Sequence, residues 1–145
     1  AMSVAEEVEI DGRPALEDAA VRARIANWYV QEAGLKYTGY RSLTALSRGA
    51  LPGPENSIGK LVGAPKMQAM SSYLMDLLGA SGAIADESLA AKAGIIQRAY
   101  MGAPGLRIAG GTDEIMANII AERVLGLPQE PRLDKGIPFN EVPTG

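Results

Sequence analysis

Apolar residues return at three- and four-residue steps along almost the whole chain, and only a few clusters of glycine and proline interrupt them. That period puts the apolar members on one helical face, so it predicts helices joined by short connections. The first stripe starts at Pro14, a residue suited to a first helical turn, and runs through Leu16, Ala20, Val21, Ile25, Trp28, Leu35, Tyr37, Tyr40, Leu43 and Leu46. A helix is expected over 14–49. Gly34 and Gly39 each cost about 1 kcal/mol relative to alanine in a helix interior, so this stripe needs a partner to cover it. Leu51-Pro52-Gly53-Pro54 breaks the run, and Asn56 or Ser57 can cap a second helix over 56–79. Pro65 should kink that helix, and Gly79-Ala80-Ser81-Gly82 ends it. A short helix over 88–101 follows Asp86, Glu87 and Ser88, with Gly102-Ala103-Pro104-Gly105 as its stop. The last helix, 112–126, has Thr112 as cap, Asp113 and Glu114 in the positively polarised first turn and Arg123 in the last.

Both ends read differently. Ser3 to Gly12 sets Val4, Val8 and Ile10 among Glu6, Glu7, Glu9 and Asp11, a run too short and too charged for a central strand. It is expected to be a flexible leader over 1–12, with Ala1-Met2 resembling a remnant of tag processing. Residues 13–128 form the helical domain, and 129–145, rich in proline and glycine, should run as an extended tail. With 5% aromatic residues and 17 glycines, the 145-residue chain suits closely packed helices better than a sandwich of aromatic and β-branched strands. The fold class is all-α, an up-and-down helical bundle.

Composition narrows the chemistry. Histidine and cysteine are both absent, which removes histidine general bases, Ser-His-Asp and Cys-His nucleophiles, disulfides and Cys/His zinc sites. No metal site is expected. Fourteen Lys plus Arg against seventeen Asp plus Glu give a net charge of −3, without the basic excess that nucleic acid demands. No apolar run reaches the roughly 18 residues of a membrane span, and the opening is acidic, so a cytoplasmic protein is expected.

Several local features admit a structural and a functional reading. Gly110-Gly111-Thr112 ahead of a helix can bind an anion through free N–H groups, but the same turn serves as a plain cap, and Asp113 and Glu114 oppose a bare phosphate. Gly79-Ala80-Ser81-Gly82 fits a helix end as well as a cofactor approach, and no strand precedes it to make a dinucleotide fingerprint. Glu32 with Lys36, and Glu122 beside Arg123, read as surface pairs. The six methionines read as core filling, and Tyr29, Tyr37 and Tyr40 offer a substrate wall or, as the plainer reading, a helix–helix interface.

The stretch GGTDEIMANIIAERVLGLP at 110–128 resembles the last core helix of the flavin-dependent acyl-CoA dehydrogenases. Trp28 to Gly49, PENSIGKLVGA at 54–64 and DLLGASG at 76–82 resemble earlier blocks of the same C-terminal domain, in order. EPRLDKGIPF at 130–139 is most similar to actinobacterial members. The resemblance implies a C-terminal helical bundle without its first helix, cut from an enzyme that dehydrogenates an acyl-CoA thioester between its α and β carbons. It implies FAD in the full-length protein, not retained by this chain alone, with electron-transfer flavoprotein as acceptor and a homo-oligomeric assembly. By motif position Thr112 and Glu114 contact FAD, Asp76, Gly79 and Ala80 lie toward its adenosine side, and Gly111 adjoins the substrate.

Two positions depart from the pattern. Many members have a catalytic glutamate immediately before Gly-Thr; here that residue is Gly110, so no catalytic residue is assigned and the base is expected outside this chain. Asp76 replaces the usual glutamine. The alternative reading is a non-catalytic helical module that completes a partner's flavin site. Self-association is expected in either case, through a surface including Trp28, Leu74, Ile119 and Val124.

Overall fold

The computed structural model describes residues 1–84, 86–132 and 134–142. Its elements are α1 (Met2–Glu7), the hairpin strands β1 (Glu9–Ile10) and β2 (Arg13–Pro14), and four longer helices, α2 (Ala19–Ser47), α3 (Ser57–Leu78), α4 (Ile95–Ile108) and α5 (Asp113–Arg123). The all-α class is the one observed. α3 is the central element: its most extensive contact is with α4, and it also packs against α5 and α2.

The largest correction is at the N-terminus, where the expected leader is an ordered part of the core. α1 buries Val4 (4% exposed) beside Leu74, Leu78 and Ile96, and Ala5 (0%) beside Ala15 and Val21. Val8 and Leu77 touch both clusters and join them. Asp11-Gly12 then reverses the chain with φ +51° and +76°, pairing Glu9 with Pro14 and Ile10 with Arg13. Positive φ at both central residues is what a tight two-residue hairpin requires, and Asp-Gly supplies it at low cost. The dense carboxylates obscured a short apolar face.

α2 starts five residues later than expected, because Pro14 belongs to β2 and the cap is Asp18. Its carboxylate accepts from the N–H of Ala20 (2.8 Å) and Val21 (3.0 Å), satisfying two of the orphan donors of the first turn. α3 matches its predicted span with Pro65 inside it, yet neither expected cap serves. Asn56 instead accepts from the Ser42 hydroxyl at 2.7 Å and donates to the Gly53 carbonyl, tying the α2–α3 connection back to α2.

α4 departs most from expectation among the longer helices. Asp86 holds a turn by accepting from the Ser88 N–H and hydroxyl, and the helix begins only at Ile95. It runs through Gly102-Ala103-Pro104-Gly105 instead of stopping there. A proline inside a helix costs about 3 kcal/mol; burial of Ile96 and Ala103 in a helix packed along α3 opposes that cost. α5 ends at Arg123, three residues short of the expected 126. The tail has no strand or α-helix among its described residues, and its positions 133 and 143–145 lie outside them.

Three side-chain expectations also change. Glu32 pairs with Lys66 of α3, not with Lys36. Met116 is buried, whereas Met2 and Met101 are exposed. Among the described residues Tyr29 (74% exposed) and Tyr37 (64%) make no helix–helix interface, and Tyr40 is exposed beside Tyr37.

Candidate functional site

α4 and α5 meet at Gly110-Gly111-Thr112, a turn that its two glycines permit. Gly110 and Gly111 have φ of +69° and +110°, conformations that a Cβ disfavours. A Cβ on Gly111 would come within 2.6 Å of the Met116 methyl, while one on Gly110 would meet nothing within 4 Å. Position 110, where the resemblance puts a base in other members, thus opens onto free space. Thr112 caps α5 as expected, its hydroxyl oxygen accepting from the Ile115 N–H at 3.4 Å.

Two cations not singled out from the sequence converge on this turn. Lys60 of α3 donates to the carbonyls of Ala109 and Gly111. Arg107, in the last turn of α4, donates through Nε to Asp113 Oδ2 at 2.6 Å and through Nη1 to Gln68 Oε1 of α3 at 3.1 Å. The other Asp113 oxygen, Oδ1, is buried with no partner among the described residues. Glu114 is held below the ordinary carboxylate range, first by the Thr112 hydroxyl, then by its own N–H, with Arg107 adding a smaller pull; it stays ionised at neutral pH.

Gln68, Pro104 and Arg107 are shared by two adjoining clefts. One, of about 650 Å³, runs between α3 and α4 along Pro65, Ala69, Ser72, Tyr100 and Met101. The other, about 300 Å³, is lined also by Ile108, Thr112, Asp113 and Glu114. The sites read from sequence therefore separate into two groups. Gly110, Gly111, Thr112 and Glu114 sit together against the first half of α3. Asp76, Gly79 and Ala80 are exposed at its far end; Asp76 follows Lys60 by sixteen residues, about 24 Å along a helix. One copy does not bring the groups together. Among the described residues no cluster of His, Cys, Asp or Glu is arranged to hold a metal, and no helix is long and apolar enough to cross a membrane.

Lys60 and Arg107 escaped the sequence reading because their partners are not helical neighbours. Arg107 reaches Asp113 across a turn, and Lys60 reaches backbone carbonyls about fifty positions away, for which no side-chain spacing exists.

A bundle centred on one helix, with a Gly-Gly-Thr turn leading into a capped final helix, defines a class. The family model for the acyl-CoA dehydrogenase C-terminal domain matches residues 1–125, and the chain belongs to that family. It is 33% identical over 78 residues to the acyl-CoA dehydrogenase FadE34 of Mycobacterium tuberculosis, a match covering 54% of this chain and 10% of that protein. Its fold is that of a chain in the ChsE4–ChsE5 complex from Mycobacterium tuberculosis (TM-score 0.73, 23% identity, 90% of this chain and 33% of that one). It is also that of a glutaryl-CoA dehydrogenase from Mycobacterium smegmatis in complex with FADH2 (TM-score 0.71, 17% identity, 90% and 32%). The chain thus spans a tenth of that curated relative and about a third of each solved one.

Proposed function

We propose that this chain is the helical C-terminal domain of a cytoplasmic FAD-dependent acyl-CoA dehydrogenase, which contributes to assembly and to one wall of the flavin site while the catalytic base comes from elsewhere. The observation that carries the reading is the α4–α5 turn. Its polar groups fit a dinucleotide in part: ionised Glu114 with the Thr112 hydroxyl suits ribose or ribityl hydroxyls, whereas the N–H groups of Glu114 and Ile115 are already engaged within the turn. Asp113 does not oppose this, because Arg107 neutralises it. Asp76, Gly79 and Ala80 would meet the adenosine side of a flavin seated against another copy, consistent with their separation from Thr112.

A bound flavin supplies acceptance of a hydride from the β-carbon. The α-proton needs a positioned carboxylate, and Gly110 has no side chain to take it. What this chain supplies is binding and orientation, with Gly111 allowing close backbone approach to an acyl thioester. Family membership supports FAD, and electron-transfer flavoprotein is the acceptor that this chemistry suggests. The ChsE4–ChsE5 likeness supports assembly from more than one chain. Gly110 favours a second reading, a non-catalytic module that completes a partner's flavin site.

The product of the complete reading frame around this sequence, purified and titrated anaerobically with acyl-CoA thioesters, tests both. Flavin that bleaches on substrate addition supports the enzyme. Bleaching only after a second, glutamate-bearing chain is added supports the module, and a flavin-free product under both conditions contradicts the two together.

A further inference from the structure

We propose that Lys60 is a positioning residue: together with the Arg107–Asp113 pair it holds Gly110, Gly111 and Thr112 in the conformation that a flavin or acyl thioester meets, the last clause resting on the functional reading above. Two consecutive glycines have more backbone freedom to lose than any other pair, so the sequence of the turn does not fix its shape. Packing does not fix it at Gly110, since the space a Cβ would occupy has no heavy atom within 4 Å. At Gly111 the Met116 methyl lies close, and the ties that span the turn are polar. Ala109 O and Gly111 O, two residues apart on either side of Gly110, both accept from one ammonium group. A single cation bound to both sets the span of the turn, and its charge faces the negative end of the α4 dipole.

The anchor lies outside the turn. Lys60 belongs to α3, the helix against which both α4 and α5 pack, so the turn is referenced to the core. Arg107 adds a second tie from the other side: it joins the end of α4 to the first residue of α5 and to Gln68 of α3. α3 thus holds both flanks of the glycines, and a side chain with no contact to the chemistry controls where Thr112 stands.

The test uses the 15N-labelled chain without flavin. Lys60→Met keeps the apolar stem and removes the donors. It is expected to shift the amide resonances of Gly110, Gly111 and Thr112 and to speed hydrogen exchange at Ile115, the amide that Thr112 caps, by about tenfold or more, with α2 amides and far-UV circular dichroism unchanged. Lys60→Arg, which restores charge and donors, is expected to recover most of the loss. Unchanged turn resonances in a folded Lys60→Met chain, or Lys60→Arg no better than Lys60→Met, would overturn the proposal. If Lys60→Met does not fold, Lys60→Gln, neutral and too short to bridge both carbonyls, decides: loosening confined to the same amides supports it, and no change overturns it. Placed in the full flavoprotein, Lys60→Met should also increase flavin loss on desalting. Normal retention despite a loosened turn would sink the flavin reading and leave the positioning role standing.

Discussion

On its inner side α2 buries Val21 and Trp28, with Trp28 (7% exposed) edge-on to Tyr73 of α3 at 5.6 Å and Arg24 over the same tyrosine ring at 4.6 Å. On its outer side the same helix leaves Tyr29, Val30, Tyr37, Tyr40 and Leu43 in solvent. Both faces obey helical spacing, so periodicity alone cannot distinguish a stripe covered within the chain from one left for another. The buried face closes on the core; the bare one sets five large apolar side chains in solvent, the kind of surface that marks an interaction site when such residues adjoin. Of the residues expected on the association surface, Trp28 and Leu74 are buried, Ile119 is half-buried and Val124 is exposed, so the tyrosine face joins the prediction.

Substitutions that separate the two faces should rank accordingly. Trp28→Ala should cost about 3–5 kcal/mol in chemical denaturation, whereas Tyr37→Ser should change stability by no more than about 0.5 kcal/mol. Equal costs would erase the distinction. The outer face should instead report on assembly: the chain is expected to self-associate in sedimentation at high micromolar concentration, and Tyr37→Glu with Tyr40→Glu should weaken that at least about tenfold by putting charge into an apolar contact. A clean monomer before substitution would break the comparison from the other side. Asp18→Ala, at the start of the covered face, should cost about 1 kcal/mol, the usual value of a lost helix cap.

The smallest effect concerns pH. Asp86 and Glu114 both lie below their ordinary values, Asp86 chiefly through the Ser88 hydroxyl and Glu114 chiefly through that of Thr112. The unfolded chain therefore binds protons more readily, and stability rises with pH through this range. Their contribution should be complete above pH 4.5, the ordinary value for Glu114, and fade as pH falls through the lower folded values. Thermal melts of Glu114→Gln should show a shallower acid decline than the parent; an identical decline would remove Glu114 from the account.

The features legible in sequence were those with local causes. Thr112 followed by two carboxylates specified a cap, and the stripe from Ile58 to Leu78 specified α3 almost to the residue. The misses had competing or distant causes. Gly-Ala-Pro-Gly at 102–105 has the composition of a break, but burial of Ala103 outweighed it. Asp11-Gly12 was a hairpin signal hidden in an acidic run. The turn glycines were visible, whereas the Lys60 and Arg107 ties that hold them depend on how three helices meet, which no spacing along one helix encodes.

The proposed function gives this chain a closed core and only part of a flavin site. Partial contacts seldom offset the cost of immobilising a large cofactor. The most direct measurement is to incubate the purified chain with excess FAD, desalt it and record the absorbance spectrum. The account predicts protein free of flavin and no bleaching with any acyl-CoA; stoichiometric flavin surviving desalting would contradict it.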